Sequence, residues 1–361
     1  MSPTPPIDPG SSTAGPAERD GASEALAASG ADWLLALRSR LRRPMELVSR
    51  GIIGQLVALA LVFIIFSVGT KGTYLSLRNV LTILGLAGIP MIVCLGIHLV
   101  IVIGGMDLST EGVISLVAVI CGLLIKNSFT PYDIGFWVVP VAVAIGALAG
   151  LVGGVLSTAA RMPSFIATLG MWWVAQGLSV VVGRGNSVKM LDPRFQVITN
   201  GDTLGLPNTI LIAAALFAVL WLVQRRTRFG RYMYAIGGDE ALARQAGIKI
   251  ARVKVAVFTI TGAIYGFAAM LLASRLAATN PRIGNGQLFP AMTAVAVGGV
   301  SLSGGVGGAL NAVLGTLIVV ALNDGMVVMK VSPYVQNAVN GIVLILAVAV
   351  TIDRKKIGII K

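Results

Sequence analysis

The sequence predicts an all-α polytopic membrane protein with about ten transmembrane helices. Three observations carry that reading. Hydrophobic residues make up 56% of the 361 residues and charged ones 12%, with a mean hydropathy of +0.87, whereas soluble domains carry about 25% charge. The apolar residues fall in runs near the length of about 20 residues that crosses a bilayer. The basic residues stand at the ends of those runs, which gives the net charge of +13 to membrane topology and lipid contact and excludes a nucleic-acid groove.

In chain order, residues 1–30 are rich in Pro, Gly, Ser and Ala without any period, which predicts disorder. Residues 33–45 mix apolar side chains with arginines and suit the membrane interface, so 1–45 reads as a cytoplasmic tail. No secretory signal is expected, because the first apolar run begins only near Ile52. The ten runs are 52–70, 79–104, 110–126, 134–157, 163–183, 207–224, 251–275, 285–301, 304–323 and 334–352, within a transmembrane domain of 50–355 that is followed by a cytoplasmic 356–361. The second run contains Pro90 after Gly88, which predicts a kink. Gly146, Gly150 and Gly154 sit four apart and predict close helix packing. Cys94 and Cys121 lie inside apolar runs and read as small buried hydrophobes.

Broken helices are expected at two glycine clusters, 104–109 and 298–305. Their sequences echo one another: Gly104-Gly105-Met106-Asp107-Leu108-Ser109 against Gly298-Gly299-Val300-Ser301-Leu302-Ser303. Paired breaks in a transporter point towards the substrate path.

Sidedness follows from charge. With an N-terminus inside, the inner segments hold 19 of the 28 Lys and Arg residues, and both termini are cytoplasmic. The decisive segment is the polar island 225–250. Asp239–Ala246 has the length of about two helical turns, and Gly247 is a natural stop. A short helix outside the bilayer, on the arginine-rich side, suits a membrane subunit that is gripped by a soluble partner.

Catalytic chemistry is sparse. No phosphate-binding Gly-x-x-x-x-Gly-Lys motif occurs, a single histidine precludes a histidine-based metal cluster, and clustered nucleophiles are absent, so neither a catalytic residue nor a metal site is expected. Most spans hold no carboxylate, which argues against ion coupling. The carboxylate of Asp107 is expected to cap the helix that follows it, and His98 to make an interhelical hydrogen bond. Neutral polar residues on the spans suit a hydroxyl-rich solute. The candidates for a translocation path are Asp107, Ser109, Ser164, Thr168, Trp172, Gln176, Ser301, Asn311 and Asn337, with Asn323, Asn340 and Trp173 nearby.

Several segments together resemble the permeases of ABC importers of the ribose/xylose/arabinose class: Arg228-Phe229-Gly230-Arg231-Tyr232 with Ala235 through Ile248, Met162-Pro163-Ser164-Phe165-Ile166-Ala167-Thr168-Leu169-Gly170-Met171, and Gly104 through Ser109. The match runs from about residue 50 to the C-terminus. Two departures are Met106, where the family has isoleucine, and Thr110-Glu111, where it often has Val-Gly.

The resemblance implies a type II importer permease in a bacterial inner membrane that moves a pentose or hexose by alternating access. It implies a cytoplasmic ATPase that holds the ATP and Mg, with no cofactor in this chain, a periplasmic sugar-binding protein, and a homodimeric permease. The coupling helix would comprise Gly237, Gly238, Asp239, Glu240, Ala241, Arg244 and Gly247, with Glu240 and Arg244 paired across one turn. Alternatives are a branched-chain amino acid or nucleoside permease of the same superfamily, and more distantly a secondary transporter or a membrane enzyme.

Overall fold

The computed structural model describes residues 52–351. The 1–45 tail and the 356–361 terminus lie outside that range. From residue 54 onward the described residues belong to one compact unit.

Ten apolar helices are present among the described residues. Seven are long enough to cross a membrane: α1 (Ile52–Gly69), α2 (Leu77–Val102), α4 (Val138–Ala159), α5 (Ser164–Gly183), α7 (Asn208–Arg226), α10 (Ile250–Leu276) and α12 (Ala309–Val328). Two are shorter, α3 (Thr110–Leu124) and α11 (Leu288–Val297), and in α13 (Pro333–Thr351) the apolar stretch is Pro333–Ala349. Polar helices α6 (Pro193–Asn200), α8 (Arg228–Gly238) and α9 (Glu240–Gln245) join them outside the apolar runs. Each expected run corresponds to one helix.

Pro90 lies inside α2, which continues through it to Val102. Gly88 has a packing role: a Cβ there would lie 2.5 Å from Thr209 at the start of α7. The predicted glycine face is borne out. Cβ atoms on Gly146 and Gly150 of α4 would lie 2.2 and 2.1 Å from backbone oxygens of Gly262 and Phe258, and Gly262 and Gly266 of α10 are equally blocked by α4. The two backbones touch because neither carries a side chain at the contact.

The connecting segments gather in two layers. In one, β1 (Val188–Lys189) pairs with β2 (Ala278–Thr279), and Asn127 bridges to Met190. Here α6 begins at Asp192, whose carboxylate accepts from the backbone of Arg194 and pairs with its guanidinium at 2.6 Å, which holds that carboxyl below the usual carboxylate range. The other layer brings together 103–109, 160–164, 227–249 and 298–308.

One carboxylate in a span escapes the sequence argument. Asp324 of α12 is buried and accepts from Asn79 Nδ2 at 3.1 Å.

Candidate functional site

At about 1.5 Å per residue, the 15 residues of α3 and the 10 of α11 reach roughly 22 and 15 Å, short of a hydrocarbon core of about 30 Å. Non-helical backbone precedes each helix, irregular over 105–109 and a run of turns over 281–287. Such backbone survives at membrane depth only when its polar groups find protein partners, and α3 and α5 supply them. Ser164 Oγ accepts from Met106 N at 2.9 Å, and Thr168 Oγ1 accepts from Leu108 N at 3.0 Å. Farther along α5, the side chains of Gln176 and Ser179 both donate to Pro281 O. From α3, Ser115 Oγ accepts from Gly284 N, while Glu111 Oε1 accepts from both Gly286 N and Leu288 N, at 2.9 and 3.1 Å. Glu111, which the sequence reading left without a role, thus closes the start of α11.

The echoed glycine clusters share a local geometry, shifted by one residue from the sequence alignment. Gly104 after α2 and Gly299 after α11 are left-handed, with φ of 75° and 74°. Each helix closes with the same pair of bonds: Gly105 N to Val100 O and Gly104 N to Ile101 O in one, Val300 N to Val295 O and Gly299 N to Ala296 O in the other. This is the Schellman arrangement. A two-residue side-chain turn follows in both. Asp107 Oδ1 accepts from Ser109 N and Oγ at 2.9 and 2.6 Å, and Ser301 Oγ accepts from Ser303 N at 3.3 Å. Asp107 therefore holds Ser109, the N-cap of α3, rather than the first-turn amides of that helix.

Most expected path residues consequently serve the breaks. Asp107, Ser109, Ser164, Thr168 and Ser301 shape them; Gln176 holds the segment before α11; Asn311 Nδ2 donates to Gly298 O at 2.8 Å. Gln55 Nε2 reaches the same carbonyl. Trp172 packs its backbone where a Gly112 Cβ would lie, with its buried indole N–H unbonded among the described residues. Asn337 is exposed on α13, apart from this group, while Asn340 Nδ2 donates to Asn323 Oδ1 at 2.9 Å. His98 makes the expected interhelical bond. Its Nε2 lies 2.8 Å from Gln224 Nε2, whose Oε1 accepts from Ala309 N at 3.0 Å, so the amide donates to the ring and ties α2, α7 and α12 together.

The polar island folds as two helices. Thr227 caps α8 by accepting from Gly230 N. Asp239 caps α9 by accepting from Ala241 N and Leu242 N at 2.8 and 3.0 Å, and left-handed Gly247 (φ 80°) follows its end, as the sequence reading expects. Helix α8 itself is missed by that reading, although the spacing of its buried Met233, Ile236 and Gly237 signals an amphipathic turn. Glu240 pairs with Arg244 at 3.2 Å and also with Lys254 of α10 at 2.6 Å. The Lys254 bond holds the Glu240 carboxyl below the usual glutamate range. Ala241, Leu242 and Arg244 are exposed.

The end of α8 meets both breaks. Gly305 N donates to Val102 O at 2.9 Å, and a Cβ on Gly237 would lie 1.8 Å from that oxygen and 2.5 Å from Gly305 N. A Cβ on Gly304 would lie 2.8 Å from Gly104 Cα and 3.0 Å from Gly237 O, and one on Gly305 would lie 2.8 Å from Gly238 N. Tyr234 of α8 donates to Gly307 O at 2.8 Å. Three glycine backbones, far apart in sequence, thus form one junction immediately before α9.

The family model described as "Branched-chain amino acid transport system / permease component" matches residues 79–348. The chain belongs to this permease family. It is 33% identical over 306 residues to the ribose import permease protein RbsC of Haemophilus influenzae, covering 83% of this chain and 94% of that one. It is 35% identical over 310 residues to RbsC of Bacillus subtilis, covering 84% and 93%. The galactose/methyl galactoside import permease protein MglC of Haemophilus influenzae is 32% identical over 295 residues, covering 77% and 87%. No solved structure matches the chain. As a member of this family the chain is a multi-pass membrane permease, a transport component rather than a catalytic one.

Proposed function

We propose that this permease imports a monosaccharide, a pentose or hexose, in a complex powered by a separate cytoplasmic ATPase that holds the ATP and Mg. The observation that carries the mechanism is the glycine junction. A capped helix with exposed Leu242 and Arg244 stands one residue beyond a backbone contact with both broken helices, so force applied to α9 reaches Gly104 and Gly304 through main chain. Main chain at van der Waals contact transmits displacement with little slack.

The sugar assignment is supported by the ribose and galactose permeases among the relatives. The layer containing α9 is assigned to the cytoplasm, with both termini, because the 225–254 arginines and lysines lie there. A periplasmic sugar-binding protein delivers the solute, a second copy of this chain completes the permease, and alternating access moves the solute through.

The test is uptake of radiolabelled ribose, xylose and galactose in cells carrying the complete importer, with wild type compared against Leu242→Asp. Loss of uptake and of ATPase co-purification, with the permease still in the membrane, supports the coupling reading. Unchanged ATP-dependent uptake removes α9 as the drive point, and uptake of leucine instead of any sugar overturns the substrate class.

A further inference from the structure

A cavity of about 750 Å³ opens between the α4–α5 turn, α9 and the start of α10. Its charged lining comprises Arg161, Arg244, Lys254 and Glu240, three cations against one carboxylate. Glu240 is already shared between Arg244 and Lys254, and Arg161 enters no ion pair among the described residues. Arg161 also holds a φ of 53°, a conformation unusual for a residue with a side chain. Ser164 lines the same space, and its Oγ accepts from Met106 N, which leaves the hydroxyl proton to donate. Phe258 and Ile103 supply an apolar wall.

Two surplus cations beside a hydroxyl donor in a concave site suit an anion, and the guanidinium fork suits phosphate oxygens in particular. We propose that this cavity binds a phosphate group, carried by the headgroup of an anionic phospholipid or by a free sugar phosphate. Basic pockets between membrane helices hold lipid headgroups on these terms. The phosphate lies across Arg161 and Arg244 and ties the α4–α5 turn to the coupling helix, so its occupancy changes how freely α9 moves. The proposal does not depend on which solute the permease carries.

The test uses the full permease in nanodiscs of phosphatidylcholine alone or with phosphatidylglycerol, and in phosphatidylcholine discs with added inorganic phosphate or hexose phosphate. Lipid retention is read by native mass spectrometry and ligand protection by thermal melting. The key variant is Arg161→Asn, which removes the charge while tolerating positive φ; Arg184→Asn, at a second positive-φ arginine (50°) outside the cavity, is the control. The expected result is binding by wild type and by the control, weakened roughly fivefold in Arg161→Asn, the effect of losing one basic contact with a lipid surface. A difference confined to phosphatidylglycerol identifies the lipid source, and one confined to the soluble phosphates identifies the free ester. If neither probe separates Arg161→Asn from wild type, the site does not exist.

Discussion

Replacing Gly237 by alanine tests the junction at its tightest point. The added Cβ would lie 1.8 Å from Val102 O, and real Cβ contacts stay beyond 3.0 Å, so the carbonyl or α8 must withdraw by at least 1.2 Å. That carbonyl accepts from Gly305 N at 2.9 Å, and the same Cβ also crowds this amide. Overpacking costs about 1–3 kcal/mol, and an orphaned buried amide costs about 1–3 kcal/mol. The junction is therefore destabilised by at least about 2 kcal/mol, which is roughly thirtyfold in its population. Neighbouring Gly238 provides the control, since a Cβ there meets no atom within 4 Å.

The assay is sugar uptake and ATP hydrolysis measured in parallel in proteoliposomes containing the permease with its ATPase and binding protein. Gly237→Ala is expected to cut uptake per ATP hydrolysed roughly thirtyfold while the ATPase still binds, because the exposed face of α9 is unaltered. Gly238→Ala is expected to transport like wild type. Wild-type coupling in Gly237→Ala would refute the argument that force passes through this contact. Equal losses in both variants would move the critical element to the docking surface.

Other consequences can be measured directly. Glu111→Ala orphans two amides at the start of α11, and at about 0.5–2 kcal/mol for a lost cap the detergent-solubilised permease should melt at lower temperature; Glu111→Gln, which retains a carbonyl oxygen as acceptor, should recover most of the loss. Gly150→Leu forces α4 away from Phe258 O and should abolish stable membrane accumulation on an immunoblot, whereas Gly170→Leu, at a position with open space around it, should accumulate normally. The ion pairs of Glu240 with Lys254 and Arg244 depress its carboxyl. Their contribution is therefore complete above the ordinary glutamate value of about 4.3 and is lost as pH falls through the lower folded value. The difference in uptake between wild type and Glu240→Gln should therefore stay constant from neutral pH down to about that value and shrink only below it.

The sequence by itself determined the ten apolar helices, the extent and stop of α9, and the close face of α4. Those properties are local: run length, a capping aspartate and glycines spaced by one turn each act on their own segment. It also marked Ser164, Thr168, Gln176 and Asn311 as candidates for a translocation path. Only the tertiary structure decided that these side chains satisfy non-helical backbone beside α3 and α11, because a buried amide is paired by whatever residue the fold brings near, here as far apart in sequence as Glu111 and Gly286. The same holds for Lys254 on Glu240, for Asp324 on Asn79, and for the meeting of Gly104, Gly237 and Gly304. A glycine's lack of a side chain is written in the sequence, while the backbone that comes to occupy that space is set by the packing of helices more than a hundred residues apart.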